Sequence, residues 1–273
     1  MKCALCQTKP RGEKSHIIPA FVYRWFKTTS PTGYMRDAAS PNQRQQDGEK
    51  YPLLCEDCED LFSGWEEPFA RQVLHEIEAK AASLEFDYGD WLLRFCVSVS
   101  WRTLQHLVSN GELEDMDEPH PSNVRETLET WRRFLLGEGG IGIHAQHLVL
   151  LEPQIISKGV TGGRDLAIYM TRSVDFNTVY SPTESYIFSK LGAVMIAGVI
   201  SNDETSIWNG TRVEESGRYK CEGRSVSGHL FFHLEQGIAA MRKSRELLSD
   251  RQNDKIGEAF KRRYPPGERE GGS

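Results

Sequence analysis

The sequence predicts an α+β fold in which a small cysteine-clamped module precedes a helical segment and a mixed α+β body. Three observations predict it. Two C-x-x-C pairs, Cys3-Ala4-Leu5-Cys6 and Cys55-Glu56-Asp57-Cys58, lie at the two ends of the N-terminal stretch. Apolar residues then recur at helical spacing from Leu61 to Leu135. Beyond Gly137-Glu138-Gly139-Gly140 the pattern changes to short apolar runs bounded by Gly, Pro, Asn and Ser, which is the signature of strands. The module is placed at residues 1–66 and the body at 67–273, with helices over 67–137 and strands followed by C-terminal helices over 141–264.

Each pair offers two thiolates from one tight knuckle, and two knuckles complete the tetrahedral set that a structural Zn²⁺ takes at roughly 2.3 Å. Cys3, Cys6, Cys55 and Cys58 are therefore the candidate metal ligands. Residues 7–54 are too long for a simple zinc ribbon and must hold a substructure of their own. Lys9-Pro10-Arg11-Gly12 reads as a turn, and Ile17-Ile18 as a short strand or the approach to a helix. After Pro19, the residues Phe21, Val22, Trp25 and Phe26 define a helical face. Residues 28–50 form a long polar loop closing in a turn at Asp47-Gly48.

The second knuckle opens a helix whose stripe is Phe62, Trp65, Phe69, Val73 and Ile77, with Pro68 as its interruption. Asp90 to Val108 is apolar nearly all round and is expected to be the central helix. An acidic loop over 112–121 leads to a third helix marked by Val124, Leu128, Trp131 and Leu135. Residues 147–151, 166–170 and 191–200 read as strands. Helix returns at Gly237 to Leu248, and a capping-box pattern from Ser249 to Gln252 opens a last helix carrying Ile256 and Phe260. Cys96 and Cys221 are expected to be small buried residues. His229 and His233, four apart and near Cys221, are read as packing residues because no fourth ligand is evident. His144 and His147 lack a nucleophile in a recognisable elbow, which leaves a hydrolase triad unsupported.

The chain of 273 residues has a net charge of −6, which argues against indiscriminate coating of nucleic acid. Its distribution is uneven. Residues 1–54 carry nine basic and four acidic side chains, whereas the rest carry 24 and 35. A basic head on an acidic body suits a module that meets phosphate, and Lys14, Arg24, Arg44 and Lys50 are its candidate nucleic-acid contacts. Lys2 is followed by cysteines rather than an apolar run, and the longest apolar run, 191–200, is too short to span a bilayer. A cytoplasmic protein without a membrane partner is expected, and in a reducing compartment paired cysteines read as metal ligands rather than disulfides.

The arrangement C-x-x-C, Ser15-His16-Ile17-Ile18-Pro19, C-x-x-C-Glu59 resembles the HNH endonucleases, also called ββα-metal or His-Me finger nucleases, in their zinc-stapled form. The resemblance covers about a quarter of the chain. It implies that His16 is the general base and that Glu59, directly after the last knuckle cysteine, helps hold a catalytic Mg²⁺ or Mn²⁺. Asp47 or Asn42 would bring a further oxygen from the polar loop. Ser15 stands where the family usually has Asp or His, Lys50 where an asparagine is usual, and Glu59 where His is common. The implied activity is hydrolysis of nucleic-acid phosphodiesters, DNA more than RNA, in the manner of an antiphage defence effector, with the acidic body meeting a protein partner or a second copy. A different class is also consistent with these residues: a zinc-stapled module that binds nucleic acid or assembles with protein without catalysis.

Overall fold

The computed structural model describes residues 1–12, 14–80, 84–113, 116–117, 119–151, 163–202, 208–220 and 225–265. The fold is α+β. The N-terminal region is built on a ribbon of two-residue strands, β1 (Ser15–His16) and β2 (Lys50–Tyr51), which pair antiparallel with His16 opposite Lys50. Between them stands α1 (Ala20–Thr29), which starts directly after Pro19 and buries Phe21, Val22, Tyr23, Trp25 and Phe26. Proline at this position costs nothing, because the first amides of a helix have no intrahelical acceptor. Helix α2 (Glu56–Phe69) begins one residue after Cys55, and its first turn carries Glu56, Asp57 and Glu59, which favour the positive end of the helix dipole.

Pro68 does not end this helix. Lacking an amide hydrogen, it is followed by a π-helical turn, Ala70–Leu74, and then by α3 (His75–Lys80). Phe69, Val73 and Ile77 stay on the buried side throughout. After the short strand β3 (Phe86–Tyr88) comes α4 (Asp90–Ser109), and Leu92, Phe95, Cys96, Val97, Val99, Trp101 and Leu104 are all inaccessible, as its composition predicts. Helix α5 (His120–Leu135) packs beside it and anchors itself with Trp131, whose Nε1 donates to the His144 carbonyl at 3.1 Å.

The body's sheet is antiparallel in the order β4 (Gln146–Leu150), β7 (Val194–Asn202), β6 (Glu184–Leu191), β5 (Val174–Tyr180). One face lies on α4, and its buried residues Leu148, Ile187, Leu191 and Ile196 belong to the same core as Phe21, Leu54, Phe62 and Phe95. The other face is covered by α6 (Gly163–Arg172) and α7 (Gly228–Glu246) through Leu166, Tyr169, Met170, Leu230, Leu234 and Ile238. Strand β8 (Gly217–Tyr219) pairs with β3 to one side, with Phe86 stacked on Tyr219 at 5.0 Å. The last helix, α8 (Asp250–Arg263), buries no residue.

Three expectations are corrected here. Residues 166–170, expected as a strand, lie in α6. Leu166, Tyr169 and Met170 at i, i+3 and i+4 make one helical face against α7, and a five-residue apolar run does not separate the two periods. The run 191–200 is not one strand. Gly192 takes φ +69°, a left-handed conformation that glycine adopts without a steric penalty, so the chain turns there and the run is divided between β6 and β7. Helix α7 begins at Gly228 rather than near Gly237, because the Ser227 hydroxyl caps it by accepting from the His229 amide at 3.2 Å. Cys221 lies outside the described residues, so its expected grouping with His229 and His233 is not described. His229 donates from or accepts at Nδ1 toward Glu184 at 2.9 Å, and His233 packs on Phe188. Among the described residues no helix is long and apolar enough to cross a membrane.

Candidate functional site

The site is assembled by the two knuckles. Their backbones pair directly: Ala4 N–H donates to the Leu53 carbonyl at 2.9 Å and Gly12 N–H to the Leu54 carbonyl at 2.6 Å, while Arg11 reaches the Pro52 carbonyl at 2.9 Å. Lys9 and Asp57 form an ion pair across the same seam. As a result, the sulfurs of Cys3, Cys6, Cys55 and Cys58 all lie within 4.8 Å of one another, with Cys6 and Cys55 3.8 Å apart. Tetrahedral coordination at a metal–sulfur distance of roughly 2.3 Å separates the sulfurs by about 3.8 Å, so the four cysteines are positioned to bind one metal ion. Four soft thiolates in a closed tetrahedron suit zinc.

The electrostatics of the cluster agree with such a role. Although burial opposes it, hydrogen bonds from the Thr8 hydroxyl and from the Lys9 and Thr8 amides bring the Cys6 thiol down to about 6. Burial pushes the Cys58 thiol up, and the crowding sulfurs of Cys55 and Cys3 add to it. A divalent cation between them removes that repulsion.

The ribbon carries His16, and its neighbour Ser15 accepts from the Leu54 amide next to the second knuckle. Nε2 of His16 lies 2.9 Å from Asp47 Oδ1, and Lys50, its partner across the ribbon, places Nζ 2.6 Å from Asp47 Oδ2. The Gly48 amide also donates to Asp47 at 2.9 Å. Burial raises the Asp47 carboxyl, but the donors Lys50, His16 and Gly48 outweigh it and hold the group well below the usual carboxylate range. An ionised Asp47 on Nε2 fixes that nitrogen as the N–H and leaves Nδ1 as the free acceptor of the imidazole. The turn that presents Asp47 depends on Gly48, since a Cβ there would lie 2.0 Å from the Tyr23 ring. That ring in turn packs against His16, with centroids 6.2 Å apart.

The other residues singled out in the sequence divide into three groups. Glu59 sits in the first turn of α2, and its Oε1 is buried with no hydrogen-bond partner among the described residues. Ser15 is buried and faces the second knuckle, its hydroxyl accepting from the Leu54 amide at 3.0 Å. Asn42 is engaged elsewhere: its side-chain nitrogen donates to the Leu247 carbonyl at 2.8 Å and its oxygen accepts from Ser249 N–H at 2.9 Å, which ties the polar loop to the α7–α8 junction. Lys14 and Arg24 are exposed, and Arg44 is exposed with its guanidinium 4.4 Å from the centre of the Tyr34 ring.

The sequence reading missed one important pair. Arg102, in the middle of α4 and almost inaccessible, places Nη2 2.9 Å from Glu66 Oε1 and reaches back with Nη1 to the His16 carbonyl at 3.5 Å. Glu66 lies two helical turns beyond Glu59 on the same side of α2. The buried ion pair thus supports the strand that carries His16 and the helix that carries Glu59 from a single point. An arginine inside the most apolar part of α4, between Trp101 and Leu104, was the available signal.

Comparison of the chain with family models, with curated proteins and with solved structures returns no match.

Proposed function

We propose that the chain is a metal-dependent endonuclease of the HNH type, stapled by a structural zinc at Cys3, Cys6, Cys55 and Cys58. The observation that carries this reading is the Asp47–His16 contact on a ribbon that leads straight into the second knuckle and its helix. The order strand, strand, helix around one imidazole supports the resemblance read from C-x-x-C, Ser-His-Ile-Ile-Pro and C-x-x-C-Glu, with α1 and the polar loop inserted between the strands. In this reading Nδ1 of His16 takes the proton of the attacking water, and Asp47 orients the ring and stabilises the imidazolium that forms. Glu59 is the residue that fits a hard divalent cation, because its buried oxygen lacks a partner, whereas both oxygens of Asp47 are already engaged. Mg²⁺ or Mn²⁺ bound there would supply Lewis-acid stabilisation of phosphate charge. Defence against phage DNA is the setting that the resemblance suggests.

A second reading, a zinc-stapled nucleic-acid-binding or assembly module without catalysis, is favoured by one feature. Lys50 neutralises Asp47 from the position directly across from His16, where the family usually has asparagine. Cleavage of plasmid and of single-stranded DNA and RNA with Mg²⁺ or Mn²⁺ separates the two. His16→Ala and Glu59→Ala are each expected to lower the rate by roughly a hundredfold or more with zinc content unchanged. Wild-type protein that cuts no substrate faster than either variant would leave the binding module as the function.

A further inference from the structure

The polar loop and the last helix, far apart in sequence, face each other across a groove. Arg36 donates to Gln252 Oε1 at 2.8 Å, and Asn42 bonds both Leu247 and Ser249, so the loop is fastened to the start of α8. Below these clamps lies a cavity of about 480 Å³ lined on one side by Tyr34 and Arg44 and on the other by Lys255, Glu258, Arg262 and Arg263. Four cations meet one carboxylate there. Among the described residues none of the four cations forms an ion pair, although the chain as a whole is acidic. The Tyr34 ring holds the Arg44 guanidinium at 4.4 Å and the Arg36 guanidinium at 5.1 Å, which orders two long side chains at the rim.

An unpaired group of cations around a cavity is an anion site, and arginines suit the planar, forked recognition of phosphate. Its position indicates which phosphates. Arg44 is three residues from Asp47, so their Cα atoms are at most roughly 11 Å apart, about three steps of a nucleic-acid strand at 3.4 Å each. We propose that the groove between residues 31–44 and α8 binds the phosphodiester backbone of the nucleic acid on which His16 acts, so that the C-terminal helix forms the second wall of the substrate site. The inference rests on the reading of the head as acting on nucleic acid. It extends the candidate contacts beyond the basic head of residues 1–54, since Lys255, Arg262 and Arg263 contribute three of the four cations.

The test uses the full-length, zinc-loaded protein carrying His16→Ala, so that binding is read without cleavage. Affinity for a labelled 30-mer duplex and for the corresponding single strand is measured from 50 to 200 mM KCl. Arg262→Glu combined with Arg263→Glu is expected to weaken binding at least tenfold at 50 mM and to lower the salt slope by about 1.4 to 1.8, since each phosphate that is no longer neutralised lowers it by roughly 0.7 to 0.9. Because α8 buries no side chain, circular dichroism and zinc content should match the parent. A pair matched in charge but outside the groove, Arg71→Glu with Arg133→Glu, should weaken binding by less than threefold. Parent-like affinity and slope in the groove variant, or an equal loss in the control pair, would overturn the proposal. So would a groove variant that loses binding of a nucleoside triphosphate while its affinity for both strands is unchanged, which would make the groove a site for free nucleotides. These readouts do not depend on cleavage, so an inactive wild type would defeat the nuclease reading, and with it the groove's role as a wall of a substrate site, while binding of the phosphodiester backbone by the groove would stand or fall on the affinities alone.

Discussion

The N-terminal ribbon and the body's sheet are both antiparallel, but they are held in opposite ways. Strands β6 and β7 pair at eight positions and bury Tyr186, Ile187, Phe188 and Leu191 with Val194, Met195 and Ile196, so the sheet is ordered by apolar area and a long ladder. Strands β1 and β2 pair over two residues, and they are kept in place by four sulfurs, the Asp47 contacts and the Arg102–Glu66 pair. A two-residue ribbon cannot persist on its own. The head does share the apolar core through Ile18, Phe21 and Leu54, but the geometry around His16 itself adds a few polar contacts that chemistry can remove one at a time, whereas the sheet has no such single point of failure. Where the sheet buries a charge, it satisfies it fully: Lys190 Nζ donates to the Gly192 carbonyl at 2.8 Å and to the carbonyl and hydroxyl of Ser173 at 3.1 and 3.0 Å, although burial lowers its pKa to about 7.

Loss of the metal should have the largest effect. Structural zinc contributes on the order of 10 kcal/mol or more in small finger peptides, which exceeds what the ribbon can gain from its own contacts. Cys58→Ser is therefore expected to abolish zinc binding, measured by elemental analysis, and to lower the thermal midpoint sharply. A variant that keeps the wild-type midpoint without metal would show that the core shared with α4 orders the head by itself.

Next is the buried pair. Arg102→Ala strands Glu66 and withdraws support from the His16 carbonyl, at a cost of roughly 3–5 kcal/mol in denaturant unfolding. Removing both charges with Arg102→Met and Glu66→Leu should recover most of that stability. On the proposed nuclease reading, a double replacement that also restores cleavage makes the pair only structural, and stability that returns without activity means that the pair positions His16.

In the body, the expected sensitivity is to acid. Burial, with Arg212 nearby, lowers the His147 imidazole to about 4, while Glu184 opposes this; the ring stacks on Trp208 at 4.5 Å and its Nδ1 lies 2.9 Å from Thr211 Oγ1. Between about pH 6.5 and 4 the unfolded chain binds a proton at this residue that the folded chain does not, so stability falls as pH falls through that window. The full effect is on the order of 3 kcal/mol. His147→Asn should flatten unfolding free energy against pH there by one proton's slope, and an unchanged slope would place the acid sensitivity in another group.

The smallest expected effect is at the turn. Gly48→Ala would force the Tyr23 ring and the Asp47 turn apart, with roughly 1–3 kcal/mol of strain. On the proposed nuclease reading, its influence on cleavage should exceed its influence on stability, measured on the same preparation, because it displaces the carboxylate that contacts His16.

The cysteine frame was legible from sequence because two thiolates at a spacing of three can form a knuckle without any knowledge of the rest of the chain. His16 was legible because it is the one histidine between the knuckles; Asp47 was singled out as a metal oxygen, whereas the Asp47-Gly48 turn returns it to the ribbon as the partner of His16 and Lys50. Asn42 was misleading, since its polar loop is fixed by α7 and α8, more than two hundred residues away. Arg102 was conspicuous in its apolar helix, but its pairing with Glu66 could not be read for the same reason, the two being joined only when α2 packs on α4. Residues 166–170 carried an apolar run that fits a buried strand and a helix face equally well, and only packing against α7 decides between them.

The contrast between a head closed by a four-cysteine site and a sheet that contains no such site among its described residues is tested most directly by hydrogen exchange, read by mass spectrometry, on protein loaded with zinc and on protein treated with a chelator. Stripping is expected to remove protection from residues 2–18 and 47–58 while peptides covering 184–202 exchange as slowly as before. Unchanged exchange in the head, or loss of protection in the sheet to the same extent as in the head, would contradict it.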